Sequence, residues 1–220
     1  MNETFEIIQS EFAQASFETF EMVFISMAAA AVIGTLLGLV LHLTSNPLFY
    51  RNRIINGIAG TIVNIIRSMP FIILIIVLIP VTRILVGTSI GALAASVSLS
   101  IASIAFFARL VENAFSEVDK GVIEAAVAAG AGTFLIIRKV LFVEAMPALV
   151  RALTVTFVSI IGYSAMAGAV GGGGIGNLAI MYGYNRYQTG VLLVTVVVLI
   201  IIVQLGQWIG DKIAMALTRK

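Results

Sequence analysis

The chain has no cysteine, a single histidine, one tryptophan and four prolines among its 220 residues. Without cysteine it can form neither a disulfide nor a thiolate metal site, and one imidazole cannot make a histidine cluster. Charge is scarce as well. Only 11% of residues are Asp, Glu, Lys or Arg, against about a quarter in soluble domains. The formal net charge is +2, too small and too scattered to form a basic patch for nucleic acid. What fills the chain instead is apolar sequence, 60% of all residues, with a mean hydropathy of +1.10. Such a composition belongs in lipid.

Apolar runs over residues 20–43, 54–79, 90–108, 149–170 and 191–209 are each near or above the roughly 20 residues a spanning helix needs. The short alternating segments of a membrane barrel are missing. Continuous apolar runs satisfy their backbone groups in a bilayer only as helices. The expected fold is an all-α membrane protein with five transmembrane helices, forming one domain over residues 1–220. The first residues open on acids and lack the basic stretch and small-residue cleavage site of a secretory signal, so the segment is expected to persist. There Phe5, Ile8, Phe12 and Ala15 recur at helical spacing opposite Glu3, Glu6, Gln9 and Glu11. That pattern fits either a helix at the headgroup boundary or an extension of the first span.

Orientation follows from the basic residues, since short loops rich in Lys and Arg stay in the cytoplasm. Arg51 and Arg53 follow the first span; Arg109, Lys120, Arg138, Lys139 and Arg151 cluster around the third loop; Lys212, Arg219 and Lys220 close the chain. Only Arg83 and Arg186 fall on the other side. With five spans, the N-terminus is expected outside and the C-terminus in the cytoplasm. An odd number of spans also argues for a second copy related by a twofold axis along the membrane normal.

One polar segment, residues 109–141, interrupts the apolar sequence. It reads as two short helical patterns broken by glycine, part of a cytoplasmic loop over residues 109–148 between spans three and four. Asp119 is expected to cap a helix from Lys120 to Ala129, with Glu124 in its early turns where the helix dipole favours an acid. Gly130 and Gly132 are expected to end it, and Thr133 to cap the next helix. Ala125, Ala126, Ala128 and Ala129 offer a surface with almost no side chain, which lets another protein approach closely. Periodicity alone leaves a docking knob and an elbow packed on its own bundle equally open.

The order of residues adds a resemblance. Glu124-Ala125-Ala126, three residues, then Gly130 is similar to the EAA signature of ABC-importer permeases, and it lies between the third and fourth of five spans as in that family. The family pattern continues with Ile-x-Leu-Pro, where this chain has Val140-Leu141-Phe142-Val143 and its proline only at Pro147. From about Asn56 onward a closer resemblance covers most of the chain. Arg67-Ser68-Met69-Pro70-Phe71, Ile79-Pro80-Val81-Thr82-Arg83, the run from Gly162 to Gly171 with Tyr163-Ser164-Ala165-Met166, then Tyr182-Gly183-Tyr184 and Arg186-Tyr187, are similar to the bacterial methionine-uptake permeases.

That resemblance implies a homodimer of five-span subunits in the bacterial cytoplasmic membrane. Two cytoplasmic ABC ATPase subunits would drive it and an external, lipoprotein-type methionine-binding protein would feed it. D- and L-methionine would cross by alternating access. Glu124, Ala125, Ala126, Ala129 and Gly130 would form the coupling helix that docks into the ATPase. ATP and magnesium would bind at those partners, this chain holding no cofactor and no metal and catalysing nothing itself.

For the pathway, Arg67 stands halfway along the apolar run 54–79, where a charge costs at least ~2.5 kcal/mol. It must face protein or water. Either it lines a translocation cavity beside Asn64 and Ser68, meeting a substrate carboxylate, or it makes a structural ion pair or helix-end hydrogen bond near Pro70. In the fourth span, residues 162–174 are nearly all small, apart from Tyr163, Met166 and Val170. A narrow helix suits a dimer axis. Met166 is then either a gate or packing filler.

Three rival readings fail on particular residues. Gly171, Gly173 and Gly176 spell a dinucleotide-like GxGxxG without a preceding strand, and no Lys-Ser or Lys-Thr follows to make a phosphate loop. A flexible turn is expected there, and hydrolysis must come from a partner. Gly162-Tyr163-Ser164 resembles intramembrane serine proteases, yet His42 lies roughly 20 Å away along the bundle. Ser164 is therefore expected to hydrogen-bond within the bundle and His42 to sit at the membrane interface. A passive channel would have no use for the alanine-faced loop.

Overall fold

The computed structural model describes residues 2–218; Arg219 and Lys220, counted above toward the cytoplasmic end, lie outside the described residues. Every regular element among the described residues is helical. Four helices are long and apolar enough to cross a membrane, and a bent pair brings the number to five. Large apolar side chains crowd the outer surface, Ile84 and Ile90 among them. A soluble monomer would not leave so much apolar surface open, whereas lipid covers it without cost.

Helix α1 (Asn2–Ala29), a π-helical stretch (Ala30–Gly34) and α2 (Thr35–Ser45) run on as one helix. Its apolar span is 42 residues long, from Thr4 to Ser45. The amphipathic start is thus an extension of the first span. Ala15 is buried against Ile175 and Leu178, while Phe5 and Phe17 face outward. The π stretch lies where Gly34 meets the third span: a Cβ there would stand 3.0 Å from the Phe107 ring. Gly38 is tighter still, 2.5 Å from the Ala108 carbonyl oxygen.

The second span differs from the straight run expected of residues 54–79. It consists of α3 (Arg53–Ser68), α4 (Phe71–Val77) and α5 (Ile79–Val86), and the axis turns by 111° between α3 and α4. Proline is the cause. Its ring holds the preceding Met69 extended, at φ −84° and ψ 133°, because the α conformation clashes with the proline Cδ. The Pro70 carbonyl then accepts from the Ile73 and Leu74 amides at 2.9 and 3.0 Å and starts α4. At the other end, Asn52 caps α3 by accepting from the Ile54 and Ile55 amides, both at 3.1 Å.

Helix α6 (Ala92–Ser116) is the hub of the bundle. It packs against α1, α2, α3, α4, α5 and α9, and 61% of its apolar window is buried against 11% for the last span. Small residues make this possible: Ala94, Ala95, Ser98, Ala102, Ala105 and Ala108 are all buried. The first part of the polar segment, residues 109–116, simply continues this helix. After α7 (Lys120–Ala128) and α8 (Thr133–Ile136), a π-helical stretch (Ile137–Leu141) leads without a break into α9 (Phe142–Ala169), which carries Pro147 inside it. The chain ends through α10 (Gly174–Leu178), a π-helical stretch (Ala179–Tyr184) and α11 (Thr189–Thr218).

Candidate functional site

The segment around Glu124 is held from within. Asp119 Oδ1 accepts from the Gly121 and Val122 amides at 2.7 and 3.3 Å, satisfying two amides that a helix start leaves open. At the far end Gly130 adopts φ +80°. Its amide bonds to Val127 O at 2.9 Å, and the Ala131 amide reaches Ala126 O at 3.0 Å. This is a glycine-terminated helix end. Thr133, expected to cap the following helix, is instead its first residue. Gly132 takes the cap position without a side-chain bond, because Thr133 already lies inside the helical turn.

Between these ends α7 shows two unlike faces. Ile123 is 1% exposed and packs into a cluster with Val111, Phe115, Val118, Ile136 and Leu141. Burying such a side chain contributes about 1.5–3 kcal/mol, so the helix is anchored to the bundle. Ala126 is half-buried beside it, and Glu124, Ala125, Val127, Ala128, Ala129 and Gly130 are exposed. A rigid, nearly side-chain-free surface is thus offered outward. His42, expected at the interface, is buried between the Phe49 and Phe115 rings at the foot of this elbow, with Nδ1 3.3 Å from Ser116 Oγ.

The break in the second span builds the other feature. It opens a cleft of about 160 Å³ lined by Ile66, Arg67, Met69, Phe71, Leu74, Ala102, Phe106 and Tyr163. Phe71 and Tyr163 stack at 4.8 Å between centroids, with ring planes 16° apart. Arg67 lies in the last turn of α3, where the open carbonyl ends favour a cation. It makes no hydrogen bond or ion pair among the described residues. Its position therefore differs from mid-helix, because Met69 and Pro70 end the helix just beyond it.

The remaining candidates lie apart from this cleft. Ser68 is exposed and donates back to Asn64 O at 2.7 Å. Ser164 is buried and donates to Ile161 O at 2.8 Å on its own helix, whereas His42 has Ser116 as its partner. Met166 is exposed on the outer side of α9, in a stripe with Val155 and Gly162, whose open position has no atom within 4 Å of a Cβ. Residues not assigned to the pathway from the sequence, Met69, Phe71 and Phe106 among them, make up the rest of the cleft wall. Their signal was the proline beside two of them.

The glycine-rich turn is a packed joint, not a loose one. Gly171, Gly173 and Gly174 all have positive φ. Glu18 Oε2 accepts from the Gly174 amide at 2.7 Å, and Thr19 Oγ1 accepts from the Ile175 amide at 2.9 Å. A Cβ at Gly168 would meet Asn177 N at 2.4 Å, and one at Gly176 would meet Ala165 Cα at the same distance. Glu18 is itself steadied by Gln14 Nε2 at 2.9 Å. An acid inside an apolar span was the only signal for this cap.

Comparison with known proteins places these features in a wider setting. The sequence pattern of the family described as "Binding-protein-dependent transport system inner membrane component" matches residues 30–219. The "Probable D-methionine transport system permease protein MetI" of Vibrio cholerae is 47% identical over 199 residues, covering 90% of this chain and 88% of that one. The "Methionine import system permease protein MetP" of Bacillus subtilis is 51% identical over 174 residues, covering 79% and 78%. Among solved structures, an inward-facing MetNI methionine ABC transporter superposes with a TM-score of 0.90 at 45% identity, over 93% of this chain and 95% of the other. An amino acid ABC transporter with histidines shares the fold at a TM-score of 0.75 and 20% identity, over 93% of each chain.

Proposed function

The chain belongs to the family of binding-protein-dependent transport system inner membrane components, and from that premise we propose that it is the permease subunit of an ATP-driven importer of methionine, D- and L-forms alike. It lies in the bacterial cytoplasmic membrane with its N-terminus outside and its C-terminus in the cytoplasm. Two copies form the conduit, meeting along the uncovered stripe of α9 that carries Gly162 and Met166. Two ATPase subunits bind ATP and magnesium, and an external binding protein delivers the cargo. This chain catalyses no reaction of its own.

One observation carries the reading: α7 exposes Glu124, Ala125, Ala129 and Gly130 while Ile123 and the Asp119 cap hold it rigid. A helix whose exposed face is rich in alanine seats closely in a partner's groove, and a rigid one passes on the partner's motion instead of absorbing it. In the cleft, the unpaired Arg67 guanidinium suits a carboxylate. Met69, Phe71, Phe106 and Tyr163 suit a thioether, which packs well against aromatic rings.

The test is uptake of labelled methionine into vesicles holding the permease, its copurifying ATPase and binding protein, comparing wild type with Glu124→Lys and Gly130→Asp. ATP-dependent uptake in the wild type and its loss in both variants, with the permease still folded, is the expected result. A wild type that hydrolyses ATP but moves no methionine points to another small or polar amino acid as cargo. A permease that binds no ATPase refutes the importer reading.

A further inference from the structure

Helix α6 touches both features just described. Its Ala102 and Phe106 form one wall of the Arg67 cleft, and it ends at Ser116, just before the Asp119 cap of α7. Between these points stands Arg109, whose guanidinium is divided between two partners. Nη1 pairs with Glu112 Oε2 at 2.5 Å on the same helix. Nη2 crosses to α3 and donates to Asn64 Oδ1 at 2.8 Å. Gly60 lies alongside this arm, where a Cβ would stand 3.8 Å from Nη2 in ordinary contact.

The partners of this fork continue in both directions. On the cleft side, Asn64 O accepts from Ser68 Oγ at 2.7 Å, so the residue held by Arg109 belongs to the turn that carries Arg67 and Ser68. On the docking side, Ser116 Oγ donates to Glu112 O at 2.8 Å and lies 3.3 Å from His42 Nδ1, at the foot of the elbow. The start of α3 is tied elsewhere, by Asn56 Nδ2 donating to Leu41 O at 2.9 Å and Thr44 Oγ1 at 3.2 Å. Helix α3 is therefore anchored to α2 at one end and to the docking-side helix at the other.

Charge balance alone does not explain this arrangement. Glu112 already neutralises the guanidinium from the same helix, and an i,i+3 pair of this kind adds little to a helix. The second arm goes to a neutral amide on another helix, so the rigid planar fork holds both partners in one fixed geometry, which a flexible ammonium does not impose. We propose that Arg109 is a positioning residue for transport: its fork makes the cleft-bearing end of α3 move with α6 when the docking helix is displaced. The proposal rests on the importer reading above and adds the link between its two halves.

The test measures methionine uptake and ATP hydrolysis on the same vesicles, so that cargo moved per ATP is the readout. Arg109→Lys keeps the charge but loses the rigid fork, and Asn64→Leu removes the acceptor while leaving the Arg109–Glu112 pair. Each is expected to lower the ratio by about fivefold or more, the scale of a coupling change between sites, with ATP hydrolysis and ATPase copurification within about twofold of wild type. A wild-type ratio in both variants overturns the proposal. So does a parallel loss of uptake, hydrolysis and copurification, which would mark a purely structural role. Should Arg109→Lys fail to fold, Asn64→Leu decides. A wild type that neither binds ATPase nor imports refutes the importer reading instead, and is told apart by its own baseline.

Discussion

The docking elbow and the glycine-rich joint are both built from an acid cap and left-handed glycines, yet one is open and the other closed. In the elbow, Asp119 caps amides two and three residues ahead, and nothing lies within 4 Å of where a Gly130 Cβ would be. In the joint, the capping acid is Glu18, 156 residues from Gly174, and Gly168 and Gly176 press against opposing backbone. A surface that must receive another protein is stiffened by its own neighbours and left uncovered. A joint that closes the bundle draws its stiffness from a distant helix and leaves no room.

Four tests separate the two designs. Gly168→Val should have the largest effect, because its Cβ falls 2.4 Å from the Asn177 backbone, which cannot give way as a side chain would; loss of folded protein in size-exclusion chromatography is expected, and a wild-type profile would break the idea of a closed joint. Glu18→Ala should cost about 1–3 kcal/mol, the penalty of orphaning the buried Gly174 amide, read as a lowered Tm, with Glu18→Gln recovering much of it. Asp119→Ala should cost about 1 kcal/mol, the usual worth of an N-cap, and should weaken ATPase copurification more than it lowers Tm. Smallest is a paired test inside the elbow. Gly130→Ala, at φ +80°, should cost about 1 kcal/mol, whereas Gly132→Ala, at φ −70° with open space around it, should be neutral within about 0.5 kcal/mol.

The same contrast explains what could be read from the chain before its fold was known. The elbow was legible because its causes are local: Asp119, the alanines and Gly130 lie within a dozen positions of one another. The joint was not, since nothing near Gly174 says that Glu18 will reach it, and a run of glycines reads as looseness until its neighbours are placed. Hydropathy sees apolar residues and not their direction, so residues 54–79 read as one straight span and Arg67 as a mid-depth charge. Pro70 carried the correction, through the conformation it imposes on Met69. The cleft itself needed the bend, because only a sharp turn brings Phe71 onto Tyr163. The buried position of His42 likewise depends on Phe49 and Phe115, one close by in the chain and the other on a different span.

The length of the first helix has a consequence for the shape of the protein in its membrane. At ~1.5 Å per residue, the 42 residues from Thr4 to Ser45 make a rod of about 63 Å, while the hydrocarbon slab is about 30 Å thick. Hiding such a rod by tilt alone would require an inclination of roughly 60°, beyond the 0–40° that spanning helices adopt. Part of it must stand clear of the lipid, and the end bearing Glu6, Glu11 and Gln14 is the part with polar side chains to offer water. The bundle thus carries a mast on one side, raised above the bilayer plane and stayed about a third of the way along by the Glu18 cap.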